Sequence, residues 1–100
     1  MSENEKFYDD EIAPALLELA HKLRTRGMSM VATVEFERGK RGSTFELPVE
    51  RGIEMDLLRA LSLAGNNVDS FLISVMRICD RRGVSYQESI FLKRYSEAAR

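Results

Sequence analysis

Apolar residues between positions 10 and 26 recur at helical spacing. Ile12, Leu16, Leu19, Ala20 and Leu23 fall at i, i+3 and i+4, and Ala13 and Leu17 widen the stripe. The spacing predicts an amphipathic helix from about Asp10 to Arg26. Asp9 or Asp10 can cap its start, and the acids there suit the positive end of the helix dipole. Pro14 falls in the expected first turn, where its missing N–H does little harm. Lys22, Arg24 and Arg26 suit the last turn, and Gly27 is a natural stop. The period then changes to two. Met30, Ala32, Val34 and Phe36 share one face of an expected strand, and Val31, Thr33, Glu35 and Glu37 the other. In a second strand Phe45, Leu47 and Val49 alternate with Thr44 and Glu46. Gly39 and Gly42 between them give a hairpin signal, with a loop near Arg38–Gly42 of three to five residues. Pro48 cannot donate to a ladder and marks an edge strand or a strand end.

Helical spacing returns from Ile53 to about Ala64, with Leu57, Leu58 and Leu61 expected inward and Asp56 and Arg59 outward. Gly65-Asn66-Asn67 ends that helix, and either Asn can cap the next, Val68 to about Arg82. That helix is apolar around much of its circumference (Phe71, Leu72, Ile73, Val75, Met76, Ile78, Cys79). Such a helix is central in its fold or faces a second chain, so a homodimer through residues 68–82 is one expectation. Gly83 is its stop. Ser85-Tyr86-Gln87-Glu88 has the capping-box form and predicts a fourth helix, with Phe91, Leu92, Tyr95 and Ala98 on one stripe. A short third strand over 89–95 competes with it, encouraged by the likeness of RGMS at 26–29 to RGVS at 82–85. The expected class is α+β in a single domain, 1–100. It has an N-terminal helix, an antiparallel hairpin, and then two or three helices packed on the hairpin.

Composition narrows the function. At 44% hydrophobic and 31% charged residues the chain reads as an ordinary globular one, with no apolar run of membrane-spanning length. The acidic start lacks the form of a signal peptide, and Cys79 is the only cysteine, so a reducing, cytoplasmic setting is expected. The net charge of −1 covers an asymmetry: residues 1–20 carry six acids and one base, and residues 21–41 carry six bases and two acids. No metal ligands stand at zinc spacing around the single histidine, His21, which reads as a surface residue. Cys79 sits in an apolar pattern, where thiols are inert. Asp9-Asp10-Glu11 is accounted for as a helix start. Arg38–Thr44 has Gly, Lys and Ser/Thr but lacks phosphate-loop spacing and stands between strands. No catalytic residue and no cofactor are expected.

Two segments remain as contact candidates. Residues 75–94 can be read as a helix-turn-helix, with Gly83 in the turn and Gln87, Ser89, Lys93 and Arg94 offered to a major groove. Ile90 and Leu92 fit its buried positions poorly, and a slightly acidic chain argues against direct nucleic-acid binding. The other is the basic knot between the strands: Arg38, Lys40 and Arg41, with Glu35 and Glu37 beside them. Its competing reading is a plain solvated turn.

The stretch FYDDEIAPALLELAHKLRTRGMSMVATVEFERG resembles the N-terminal part of small orphan proteins of phages and prophages. The matching pieces are Asp10–Pro14, Leu16–Ala20, Arg26–Ser29 and Val31–Glu35, followed by the NVDS turn at Asn67–Ser70 and a helix ending in RRG. The resemblance carries no functional residues with it. It implies a setting, the cytoplasm of a bacterial host cell, in which such proteins antagonise host machinery, anti-CRISPR proteins among them, by occupying a surface. The expectation is a non-catalytic inhibitor of a host protein or ribonucleoprotein complex. The alternative is a small DNA-binding regulator.

Overall fold

A computed structural model describes residues 2–85. Within them the order is α1 (Glu3–Phe7), a π-helical turn (Tyr8–Ile12), α2 (Ala13–Arg24), β1 (Met30–Glu37), β2 (Lys40–Glu46), α3 (Ile53–Ala64) and α4 (Val68–Arg82). The expected α+β class is met: helix, antiparallel hairpin, then two helices. The fourth helix or third strand expected after Ser85 lies outside the described residues. The chain forms two compact units, the first ending at Met55 and the second beginning at Asp56.

The N-terminal helix starts earlier than its apolar spacing predicts. Ser2 is extended at φ −77° and ψ 164°, and its hydroxyl accepts the Glu5 N–H at 3.0 Å, the N-cap bond of a Ser-x-x-Glu start. Asp9 and Asp10 therefore cap nothing; both are exposed in the π turn. From Glu3 to Arg24 the backbone stays right-handed helical, including at Tyr8 and Ile12. Pro14 explains the π turn. Inside a regular helix its ring would strike the carbonyl four residues back, that of Asp10. Widening the preceding turn, seen as the Ala13 N–H bonding the Tyr8 carbonyl five residues back, makes room for it.

The helix then stops on Gly27, at φ +68°, with Gly27 N–H bonded to Arg24 O and Met28 N–H to Leu23 O. Gly83 ends α4 in the same way, its N–H on Asp80 O and that of Val84 on Cys79 O. These are Schellman stops, and they account for the likeness of RGMS and RGVS: both write a left-handed glycine followed by an apolar residue.

In the hairpin Met30 pairs with Glu46, Ala32 with Thr44 and Val34 with Gly42, while Val31 pairs with Phe45 and Thr33 with Ser43. Paired residues share a face. The apolar set of β1 therefore faces the helix, but Phe45 of β2 lies on the opposite face with Val31. Tyr8, 6% exposed, and Ala20, 1% exposed, are the buried residues of this unit's core. The stripe that faces the hairpin is Tyr8, Ile12, Leu16, Ala20 and Leu23; Leu19, expected inward, is about half exposed.

In the second unit Asn67 caps α4 by accepting the Ser70 N–H at 2.9 Å, and α4 buries Met76, Ile78 and Cys79. Leu58 and Leu61, expected inward on α3, are 46% and 51% exposed. Asp56, expected in solvent, instead accepts the Arg82 guanidinium at 2.7 and 3.0 Å. The less exposed stripe of α3 runs through Ile53, Leu57, Ala60 and Ala64, so alanines hold the places assigned to leucines.

Candidate functional site

Strand β1 ends at Glu37 and β2 begins at Lys40, so only Arg38 and Gly39 form the turn. The expected three-to-five-residue loop is shorter because Lys40, Arg41 and Gly42 belong to the ladder. Gly39 takes φ +79°, a conformation strained for residues with a Cβ. Between Glu35, paired with Arg41, and Glu37, paired with Lys40, the register shifts, so Phe36 is the extra residue of a bulge. The result is a tight tip on which Arg38, Lys40 and Arg41 are all exposed.

The tip is held from several sides. The Gly39 N–H donates to a Glu35 carboxylate oxygen at 3.4 Å, closing the turn over its own strand. The Asn4 side-chain amide donates to the Phe36 carbonyl at 3.2 Å, giving a partner to a backbone group at the bulge. The Ser2 hydroxyl hydrogen-bonds the Glu37 carboxylate, and Lys40 Nζ stands 3.4 Å from that group. Both hold the Glu37 carboxyl below the usual carboxylate range, Ser2 contributing most. Beneath them the Tyr8 ring lies on the hairpin, its centroid 5.2 Å from that of Phe36. It can do so because residue 42 is glycine: a Cβ there would overlap Cε1, Cζ and the hydroxyl of Tyr8. Gly42 was expected in the loop; it is the cleft in β2 that receives the ring.

The far end of the hairpin is tied as well. Arg24 Nε and a terminal guanidinium nitrogen donate to the two Glu46 carboxylate oxygens at 3.0 and 3.1 Å. This two-bond fork, with a smaller contribution from the His21 charge, holds the Glu46 carboxyl below its ordinary value and raises that of Arg24. The helical run measures roughly 33 Å at 1.5 Å per residue, and an eight-residue strand spans about 26 Å. Helix and hairpin thus run end to end together, with the helix start at the tip.

All five residues expected at the contact, Glu35, Glu37, Arg38, Lys40 and Arg41, come together here. Their roles differ. Glu35 and Glu37 brace the turn, while the three bases face solvent. Sequence reasoning missed the residues that mount the tip: Ser2, Asn4, Tyr8 and Gly42. Ser2 was signalled by Glu5 three positions on; the match of Tyr8 to Gly42 joins distant positions and has no local signature. The alternative set Gln87, Ser89, Lys93 and Arg94 lies outside the described residues. His21 is exposed and Cys79 is a buried free thiol. Among the described residues no group of three or more His, Cys, Asp or Glu is placed to hold a metal ion, and no helix is long and apolar enough to cross a membrane.

Comparison with protein-family models, curated proteins and solved structures finds no match for the chain.

Proposed function

We propose that this chain acts by binding, using the hairpin tip to occupy a surface on a macromolecular partner, without catalysis. One observation carries the reading. Arg38, Lys40 and Arg41 are exposed on a turn whose carbonyl, carboxylates and backbone N–H are tied to fixed groups. A solvated connector does not need bonds from Ser2 and Asn4. A contact loop gains from them, because order imposed during folding need not be imposed again on binding. The resemblance to phage orphan proteins suggests the setting: the partner is a host complex, and occupying it blocks that complex, as an anti-CRISPR protein or another defence antagonist does.

The test is a triple variant, Arg38→Ala with Lys40→Ala and Arg41→Ala. Its circular dichroism and melting are expected to match the parent, since the three side chains are exposed. Capture of a partner from bacterial lysate is expected to be lost. Undiminished capture by a folded triple variant takes the tip out of the contact.

A further inference from the structure

We infer that Arg38 is the anchoring residue of the tip and that its counterpart is a carboxylate on a protein, not the phosphate backbone of a nucleic acid. This rests on the tip being the contact surface. The three bases are not equivalent. Lys40 stands 3.4 Å from Glu37, and Arg41 lies directly across the ladder from Glu35. Arg38 sits in the turn itself, exposed and beyond the last ladder pair. It is the base whose guanidinium has no acid placed across from it or beside it by the register.

The surroundings of the tip decide the partner's chemistry. The helix turn docked there through Ser2 and Asn4 brings Glu3, Glu5 and Lys6 with it. Together with residues 35–41 the neighbourhood holds four basic and four acidic side chains, so bases and acids are interleaved there in equal number. A nucleic-acid backbone presents phosphates at every step, and the acids would meet them along with the bases. Phosphate binding draws its strength from several Lys and Arg side chains displacing the counterions condensed on the nucleic acid, and here Lys40 stands beside Glu37 and Arg41 lies across the ladder from Glu35. A protein surface offers what this arrangement matches: a single carboxylate for the Arg38 fork, with bases nearby to face Glu35 and Glu37. The turn is preorganised around that fork, because Gly39 and Phe36 on either side of it are hydrogen-bonded to Glu35 and Asn4.

The test is a nuclear magnetic resonance titration of the whole labelled chain, following arginine Nε–H and backbone amide signals. The probes are a soluble peptide of alternating Glu and Lys and a mixed-sequence DNA duplex. The peptide is expected to move the Arg38 Nε–H and Gly39 amide signals. Arg38→Ala should abolish the Gly39 shift, and Lys40→Ala should keep it. The duplex should leave the tip signals in place, or bind with a log–log salt slope no steeper than about −0.9, the value for one phosphate. Movement of all three bases with the duplex, at a slope near −2.7 for three phosphates, would make nucleic acid the occupant and overturn the inference. Peptide shifts that persist in Arg38→Ala would remove Arg38 as anchor while leaving the tip as contact. Silence toward both probes would overturn the carboxylate assignment, and the triple-variant capture experiment would then judge the tip separately.

Discussion

Replacing Gly42 by alanine adds one methyl group and should cost more than most surface changes. The Cβ would point into the Tyr8 ring, overlapping Cε1, Cζ and the hydroxyl. The ring tip cannot yield alone, because a tyrosine ring moves as one rigid plate. Lifting it also separates it from Phe36, now at 5.2 Å between centroids, and exposes a side chain that is 6% exposed. Overpacking of this kind costs about 1–3 kcal/mol. Against it stands a gain of about 0.5–1 kcal/mol, because alanine loses less backbone freedom than glycine in a strand. The net expectation is a loss of about 1–2 kcal/mol, equivalent to roughly 5–10 °C in melting temperature for a domain of this size. Urea unfolding followed by circular dichroism should show a lower midpoint at unchanged slope. A double-mutant cycle isolates the cause: with Tyr8→Ala already made, Gly42→Ala should become neutral or slightly stabilising. Equal stability of the single variant and the parent, or the same loss in both backgrounds, would refute the ring-in-cleft packing.

Ser2→Ala should fray the first helical turn, at a cost of about 1 kcal/mol for the lost cap, read as faster amide exchange at Glu5. At Gly83 an added Cβ meets nothing within 4 Å among the described residues, and φ +68° should make Gly83→Ala cost about 1–2 kcal/mol by backbone strain, read as a lower urea midpoint. Acid should also destabilise the first unit. Glu37 and Glu46 titrate below the ordinary carboxylate value when folded, so the unfolded chain takes up protons first as pH falls. Their contribution is full above the unfolded value of about 4.3 and is lost as pH drops through the lowered folded values. Glu46→Gln should flatten the acid limb of a melting-temperature profile; an unchanged limb would mean that the Arg24 fork does not form in solution.

Local signals in the sequence carried much of this fold. Gly27, Gly83 and Asn67 mark helix ends because a left-handed stop and an Asn cap are written in one or two residues. The hairpin follows from period-two alternation. What failed involved either competing local signals or distant partners. Asp9-Asp10 imitated a helix start, and the quieter pair Ser2 and Glu5 held the true one. Pro14, which marks a first turn by its ordinary preference, is absorbed within a longer helical run by a widened turn. Gly42 reads as a loop residue until Tyr8 is seen filling the space its missing side chain leaves. Alternation within each strand shows which residues share a face, but only the register shows that Phe45 and Met30 face apart. The basic tip was visible as a run of charge; the placing of Glu37 beside Lys40, and of the helix start with its acids against the same turn, was not.

The most direct measurement places a photo-crosslinking residue at position 38 and, in a separate chain, at position 17, where Leu17 is exposed on α2. Both chains are expressed in a bacterial host and irradiated. Contact through the tip should give one discrete protein adduct from position 38 and none from position 17. Adducts from position 17 alone, with both chains folded, would contradict it.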